Sequence, residues 1–292
     1  MSTAIMDPAT AVSWGPFIQA AEAQYASDPG QANPATITNM PAGYTLVRTI
    51  QMDDFFGPVQ SPRVFYGFVA VGGDPPTAVV ALRGTATTME WWDDLQWNLV
   101  PFSQVPDGGR VAQGFYDIYN TFGTMTPGQK VSTAAPATFA ADVARAATEG
   151  LAADVDPTDL PIDIDPADLP IVVTGHSLGG ALATLLVADL SANMALQPQA
   201  WTFASPKVGD PTFAARYDSL STVSWRIHNL VDVVPYFPID VVNNRYQPVT
   251  TGHAINSLRK AKWTLGCAHS LNTYMHVLSP DTVPLNPACR ER

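Results

Sequence analysis

The strongest constraint on this chain lies in residues 171–186, IVVTGHSLGGALATLL. Consecutive apolar residues in IVVTG predict a strand buried on both faces, as in a parallel sheet, and the small and apolar residues that follow predict a helix over roughly 178–194. Between them, Ser177 stands with Gly175 and Gly179 two residues to either side. A chain that turns this sharply from strand into helix needs small neighbours around the turn, and it lifts the turning residue out at the strand's C-terminal end. Gly180, Ala181 and Ala183 let the helix pack close to the sheet. The helix start then offers N–H groups and partial positive charge beside the hydroxyl. The pentapeptide G-x-S-x-G arises by chance on the order of 0.1 times per chain of this size, so its setting between strand and helix carries the weight.

The rest of the chain alternates helix and strand patterns, which predicts an α/β protein. Helices are expected over 10–26, 111–123, 136–148 and 211–219. VFYGFVAV (64–71) and TAVVALRG (77–84) read as an antiparallel hairpin at the edge of a mixed sheet, and 200–205 and 223–228 as further strands. No linker divides the 292 residues, so one domain is expected.

Composition excludes some classes. With 15 basic against 26 acidic residues and a net charge of −11, the whole-chain balance argues against nucleic acid and against electrostatic docking on anionic lipid, leaving apolar lipid contact. No apolar stretch is long enough for an integral membrane segment, and residues 1–30 show neither the basic start nor the apolar run of a secretory signal. The compartment, secreted or cytoplasmic, stays open. Cys267 and Cys289 are either one bridge to the C-terminal tail or two buried thiols. The absence of a CxxC or Cys/His cluster points away from a structural zinc site, and no metal is expected at the catalytic residues. A tandem duplication, DVDPTDLPI then DIDPADLPI, makes 154–171 an acidic loop; its six aspartates are a solvated surface or, alternatively, oxygen ligands for calcium.

A nucleophilic serine needs a base, and the base an orienting acid. In an elbow fold both follow the serine in the chain, which removes His176. His228 sits in a strand pattern; His253, His269 and His276 all remain candidates. Asp232, in NLVDVVP (229–235), falls just past a strand at the sheet edge where ligands bind.

Four segments, LRGTATTMEWWDDL (82–95), GHSLGGALA (175–183), TFASPKVGD (202–210) and LVDVVPYFP (230–238), resemble in order and spacing the class 3 lipase family, which includes fungal triacylglycerol lipases. The resemblance spans roughly 60–280 and implies an α/β-hydrolase fold with a mostly parallel central sheet and helices on both faces. It implies Ser177 as nucleophile and Asp232 as acid. His269 is implied as base, because HSLNTY (269–274) matches the family's histidine with an aromatic five residues on. It assigns the oxyanion hole to the N–H groups of Thr85 and Leu178, and it places a lid at 87–99, where Met89, Trp91, Trp92 and Leu95 would face substrate. Two departures are the Val-Ala-Gln-Gly-Phe of 111–115, where many relatives have a histidine, and the acidic duplication.

The expectation is therefore a cofactor-free serine hydrolase that cleaves acylglycerols or other medium-to-long acyl esters, at a lipid–water interface if the lid is real. Phospholipase A1 and feruloyl esterase activity are the alternatives within this chemistry. A catalytically silent lipase-like binding protein is the alternative outside it.

Overall fold

A computed structural model describes residues 5–53, 63–85, 95–129, 138–154, 169–239, 245–250 and 252–291. Its strands are β1 (Tyr44–Asp53), β2 (Arg63–Gly72), β3 (Thr77–Leu82), β4 (Leu99–Pro101), β5 (Arg110–Ala112), β6 (Gly123–Met125), β7 (Ile171–His176), β8 (Gln199–Phe203), β9 (Ser224–Asn229) and β10 (His253–Ile255). Its α-helices are α1 (Pro8–Ser27), α2 (Gln113–Thr121), α3 (Phe139–Asp154), α4 (Leu178–Asn193), α5 (Pro211–Leu220), α6 (Leu265–His269) and α7 (Leu271–Leu278).

Eight strands form one sheet in the order β10-β9-β8-β7-β3-β2-β1-β6. From β3 to β10 every pairing is parallel, and from β3 through β2 and β1 to β6 every pairing is antiparallel. The expected hairpin is β2–β3, and it sits inside the sheet because β1 and β6 continue past it.

Alternation along the central strands sends successive side chains to two separate cores. Ala78, Val80, Leu82, Ile171 and Val173 pack with α2 to α5. Val79, Ala81 and Val172 pack with α1 and α7. Helix α4 is buried along nearly its whole length, which suits a helix that is apolar on every side. Helix α1 begins at Asp7, whose carboxylate accepts from the Ala9 and Thr10 N–H groups, with Pro8 in the first turn.

Two expected helices have other bounds, and one strand is unexpected. The helix expected at 111–123 is only Gln113–Thr121, because Arg110–Ala112 pairs with Leu99–Pro101 and Gly123–Met125 pairs with β1. The helix expected at 136–148 runs instead over Phe139–Asp154. Strand β1 was not anticipated: register shifts near Leu46 and Ile50 break the period-two pattern that would announce it.

Candidate active site

The parallel strands all end on one edge of the sheet, and the predicted residues gather there. Ser177 joins β7 to α4 with φ 58° and ψ −125°, a left-handed backbone held by its surroundings. Its neighbours explain the glycines. A Cβ on Gly175 would run into the Gly179 carbonyl, and one on Gly179 into the Arg83 carbonyl at the end of β3. Strand, elbow and helix meet too closely for any side chain at either position.

The Ser177 hydroxyl lies 2.8 Å from His269 Nε2, and His269 Nδ1 lies 2.8 Å from Asp232 Oδ2. An ionised carboxylate only accepts, so Nδ1 carries the proton and the bare Nε2 faces the serine hydroxyl. Ser177 and Asp232 are buried, at 4% and 2% exposure. Asp232 Oδ1 accepts from the Val234 N–H at 3.0 Å, and Oδ2 also accepts from the Tyr274 hydroxyl at 2.7 Å. Burial lowers the His269 imidazole below its ordinary value, with Asp232 opposing that shift. The neutral base form is thereby favoured around neutral pH.

Three other histidines are elsewhere. His276 Nδ1 donates to the Val283 carbonyl at 2.7 Å, His253 lies in β10, and the His228 ring packs edge-on to Tyr236 at 6.3 Å.

Leu178 opens α4, so its N–H has no intrahelical acceptor. Gly84 is pressed against the elbow: a Cβ there would sit 3.2 Å from the His176 carbonyl and 3.5 Å from Ser177 Cβ. Thr85 follows it directly. Arg83 clamps this turn. Its Nε donates to the Phe65 carbonyl at 2.9 Å, its Nη1 to the Gly84 carbonyl at 2.8 Å, and its guanidinium lies 3.5 Å from the Tyr25 ring centroid.

Of the lid candidates, Met89, Trp91 and Trp92 lie outside the described residues, as does almost all of the acidic duplication. Leu95 is a core residue, so close to Gly114 that a Cβ there would strike its side chain. Trp97 packs edge-on against Phe115 at 5.6 Å. Ala112, near where relatives carry a histidine, is wholly buried on β5. Cys267 and Cys289 form a disulfide. No group of three His, Cys, Asp or Glu residues suited to a metal occurs among the described residues. Nor is any described helix long and apolar enough to cross a membrane.

Residue-by-residue reading missed a supporting layer. Asn229 at the end of β9 donates through Nδ2 to Ser257 Oγ at 2.8 Å and to the Ala268 carbonyl at 2.9 Å. Its own N–H donates to the Tyr274 hydroxyl at 3.0 Å. His176 Nε2 donates to the His269 carbonyl at 2.7 Å, the two rings lie tilted with centroids 4.8 Å apart, and His176 Nδ1 lies 3.5 Å from Glu22 Oε1. Burial pulls His176 down, but Glu22, the His269 carbonyl and Asp232 outweigh it, so its imidazole is raised overall. Only Tyr274 left a trace in the sequence, as the aromatic five residues after His269.

The family model for lipase (class 3) matches residues 79–242, from β3 through the Asp232 loop. The chain belongs to the class 3 lipase family. Phospholipase A1-II 3 of Oryza sativa subsp. japonica is 30% identical over 273 residues, covering 79% of this chain and 59% of that protein. Phospholipase A1-IIgamma of Arabidopsis thaliana is 30% identical over 235 residues, covering 72% and 52%. This class 3 lipase chain thus spans a little over half the length of these relatives. Among solved structures, the lipase from Rhizopus microsporus var. chinensis aligns with TM-score 0.58 at 21% identity, covering 85% of this chain and 74% of that one. The native Rhizomucor miehei lipase propeptide complex aligns with TM-score 0.57 at 21% identity, covering 87% and 69%. The fold is that of the α/β-hydrolase lipases.

Proposed function

We propose that this protein hydrolyses carboxylic esters of lipids through an acyl-enzyme formed on Ser177. The observation that carries this reading is the unbroken hydrogen-bond chain from Ser177 through His269 to Asp232, set behind a strained serine at a helix N-terminus. As Ser177 Oγ attacks the ester carbonyl, His269 Nε2 takes its proton, and the buried Asp232 carboxylate stabilises the imidazolium while holding its tautomer. The N–H groups of Leu178 and Thr85 receive the oxyanion; a donor aimed at that charge typically contributes about 3–4 kcal/mol to the barrier reduction. The tetrahedral adduct collapses as the carbon–oxygen bond to the alcohol breaks, and His269 gives that alcohol its proton. Water then attacks the acyl-serine, losing a proton to His269, which returns it to Ser177 Oγ as the acid departs.

For the substrate, the family supports a lipid acyl ester, with an acylglycerol as the first reading. A second reading, removal of an acyl chain from a phospholipid, is supported by the phospholipase A1 names of the 30% identical relatives. The test has two parts. A fluorophosphonate should label the folded protein and not its Ser177→Ala variant; an unlabelled wild type would support a silent pocket and defeat the reading. Hydrolysis of p-nitrophenyl esters of increasing chain length, beside emulsified triacylglycerol and phosphatidylcholine, then separates acylglycerol lipase from phospholipase A1.

A further inference from the structure

The whole-chain charge of −11 predicts repulsion from an anionic surface, but the charge is unevenly placed. Residues 241–280 contain no aspartate or glutamate, and within them Arg259, Lys260 and Lys262 fall inside four positions. All three side chains are exposed, and none forms an ion pair among the described residues. Flanking them are Leu258, Trp263 and Leu265, exposed by 50%, 74% and 51%. Among the described residues, every large apolar side chain this exposed lies between 230 and 265, except Ile5.

The position of this loop matters as much as its composition. It leaves the sheet after β10, on the edge where the parallel strands end and Ser177 stands. It enters α6, which ends at His269. Its two ends, Ser257 and Ala268, are both bonded to the single buried Asn229 side chain. Its middle is fastened inward by buried Ala261, which clusters with Cys267, Leu285 and Cys289, and by the Lys262 N–H donating to the Cys289 carbonyl at 2.7 Å. A loop held this firmly has few reasons to keep Trp263 and Leu258 in water unless something else covers them.

We infer that residues 258–265 are a docking element for an anionic phospholipid–water interface, seated beside the active-site edge. Cations next to an exposed tryptophan suit a bilayer surface, where the cations meet lipid phosphates and the indole settles at headgroup depth. Acidic residues more than about 8 Å from the loop do not cancel this attraction, because at physiological ionic strength charges that far apart are largely screened. The acidic chain thus carries, among the described residues, a locally basic and apolar surface on the edge where lipid esters would arrive. The inference takes its purpose from the lipid ester hydrolase reading, but the docking itself needs no hydrolysis.

The experiment uses the Ser177→Ala protein, so that binding is measured without turnover. Vesicles of phosphatidylcholine alone and of phosphatidylcholine mixed equally with phosphatidylglycerol are sedimented with the protein, at low and high salt. Docking through this loop predicts preference for the phosphatidylglycerol vesicles, lost in high salt. In the triple variant Arg259→Glu, Lys260→Glu, Lys262→Glu, partition should fall by on the order of 100-fold or more. Trp263→Ser, which leaves the charges in place, should weaken binding to both vesicle types. The same substitutions with Ser177 intact should leave hydrolysis of dissolved p-nitrophenyl butyrate unchanged, which verifies folding. Failure to bind either vesicle, or sedimentation of the triple variant like its parent, overturns the inference. Loss of activity alone, with charge-dependent binding preserved, would instead count against the hydrolase reading.

Discussion

Replacing Asp232 by asparagine keeps the shape of the side chain and removes its charge, and the structure shows why the amide cannot fit. Oδ1 faces one donor, the Val234 N–H, and Oδ2 faces two, His269 Nδ1–H and the Tyr274 hydroxyl. Turned with its oxygen toward His269, the amide sets its NH2 against the Val234 N–H. Turned the other way, it sets the NH2 against His269. There the imidazole can only keep a hydrogen bond by moving its proton to Nε2, where it can no longer accept from Ser177. An unpaired buried donor costs about 1–3 kcal/mol, so neither orientation is free. Even the better one lacks the charge that stabilises the imidazolium. We expect kcat to fall by on the order of 10³ to 10⁴, which is about 4–5.5 kcal/mol of barrier, with a stability loss of about 1–3 kcal/mol. Single-turnover hydrolysis of a p-nitrophenyl ester measures the first and urea unfolding the second. Near-full activity in a folded Asp232→Asn protein would refute the reasoning and move the acid elsewhere.

Three further outcomes are expected. Tyr274→Phe removes the hydroxyl that joins the Asn229 N–H to Asp232; stability should fall by about 1–3 kcal/mol in urea unfolding while kcat changes less than tenfold, and a rate loss like that of Asp232→Asn would place Tyr274 in the chemistry itself. Because the folded His176 imidazole is raised, chiefly by Glu22 working against burial, its stabilisation is present in full below the unfolded value of about 6.5 and is lost as pH rises through the folded value. Glu22→Gln should therefore lower Tm more at acidic pH than at pH 8.5, and an equal drop at both would show that Glu22 acts through packing. Replacing Cys267 and Cys289 together by serine opens a cross-link between residues 22 apart in sequence and should cost about 3 kcal/mol, read as a lower urea midpoint with the fold retained.

What the chain alone could say depended on how local the signal was. IVVTGHSLGGALATLL announced strand, elbow and helix because the requirement for small residues is written into adjacent positions. Structure adds only the reason, the meeting of Gly175 with Gly179 and of Gly179 with Arg83. The central strands were equally readable, since burial on both faces needs an apolar residue at every step. Strand β1 was not, because its register shifts erase the alternation, and β6 and β10 were too short to register. Spacing left three histidines open as base, and the family motif chose His269. Its hydrogen bonds to Ser177 and Asp232 join residues 92 and 37 positions away, which no local pattern encodes. The same holds for the disulfide, left undecided by two cysteines and formed because α6 and the tail meet at one small cluster. His176 is the sharpest case. Chain order removed it as a candidate base, yet folding sets its ring against that of His269 and brings Glu22 from α1 to its other nitrogen. Sequence carried the elements whose physics repeats along the chain; tertiary structure decided every contact made between polar side chains that have no period to reveal them.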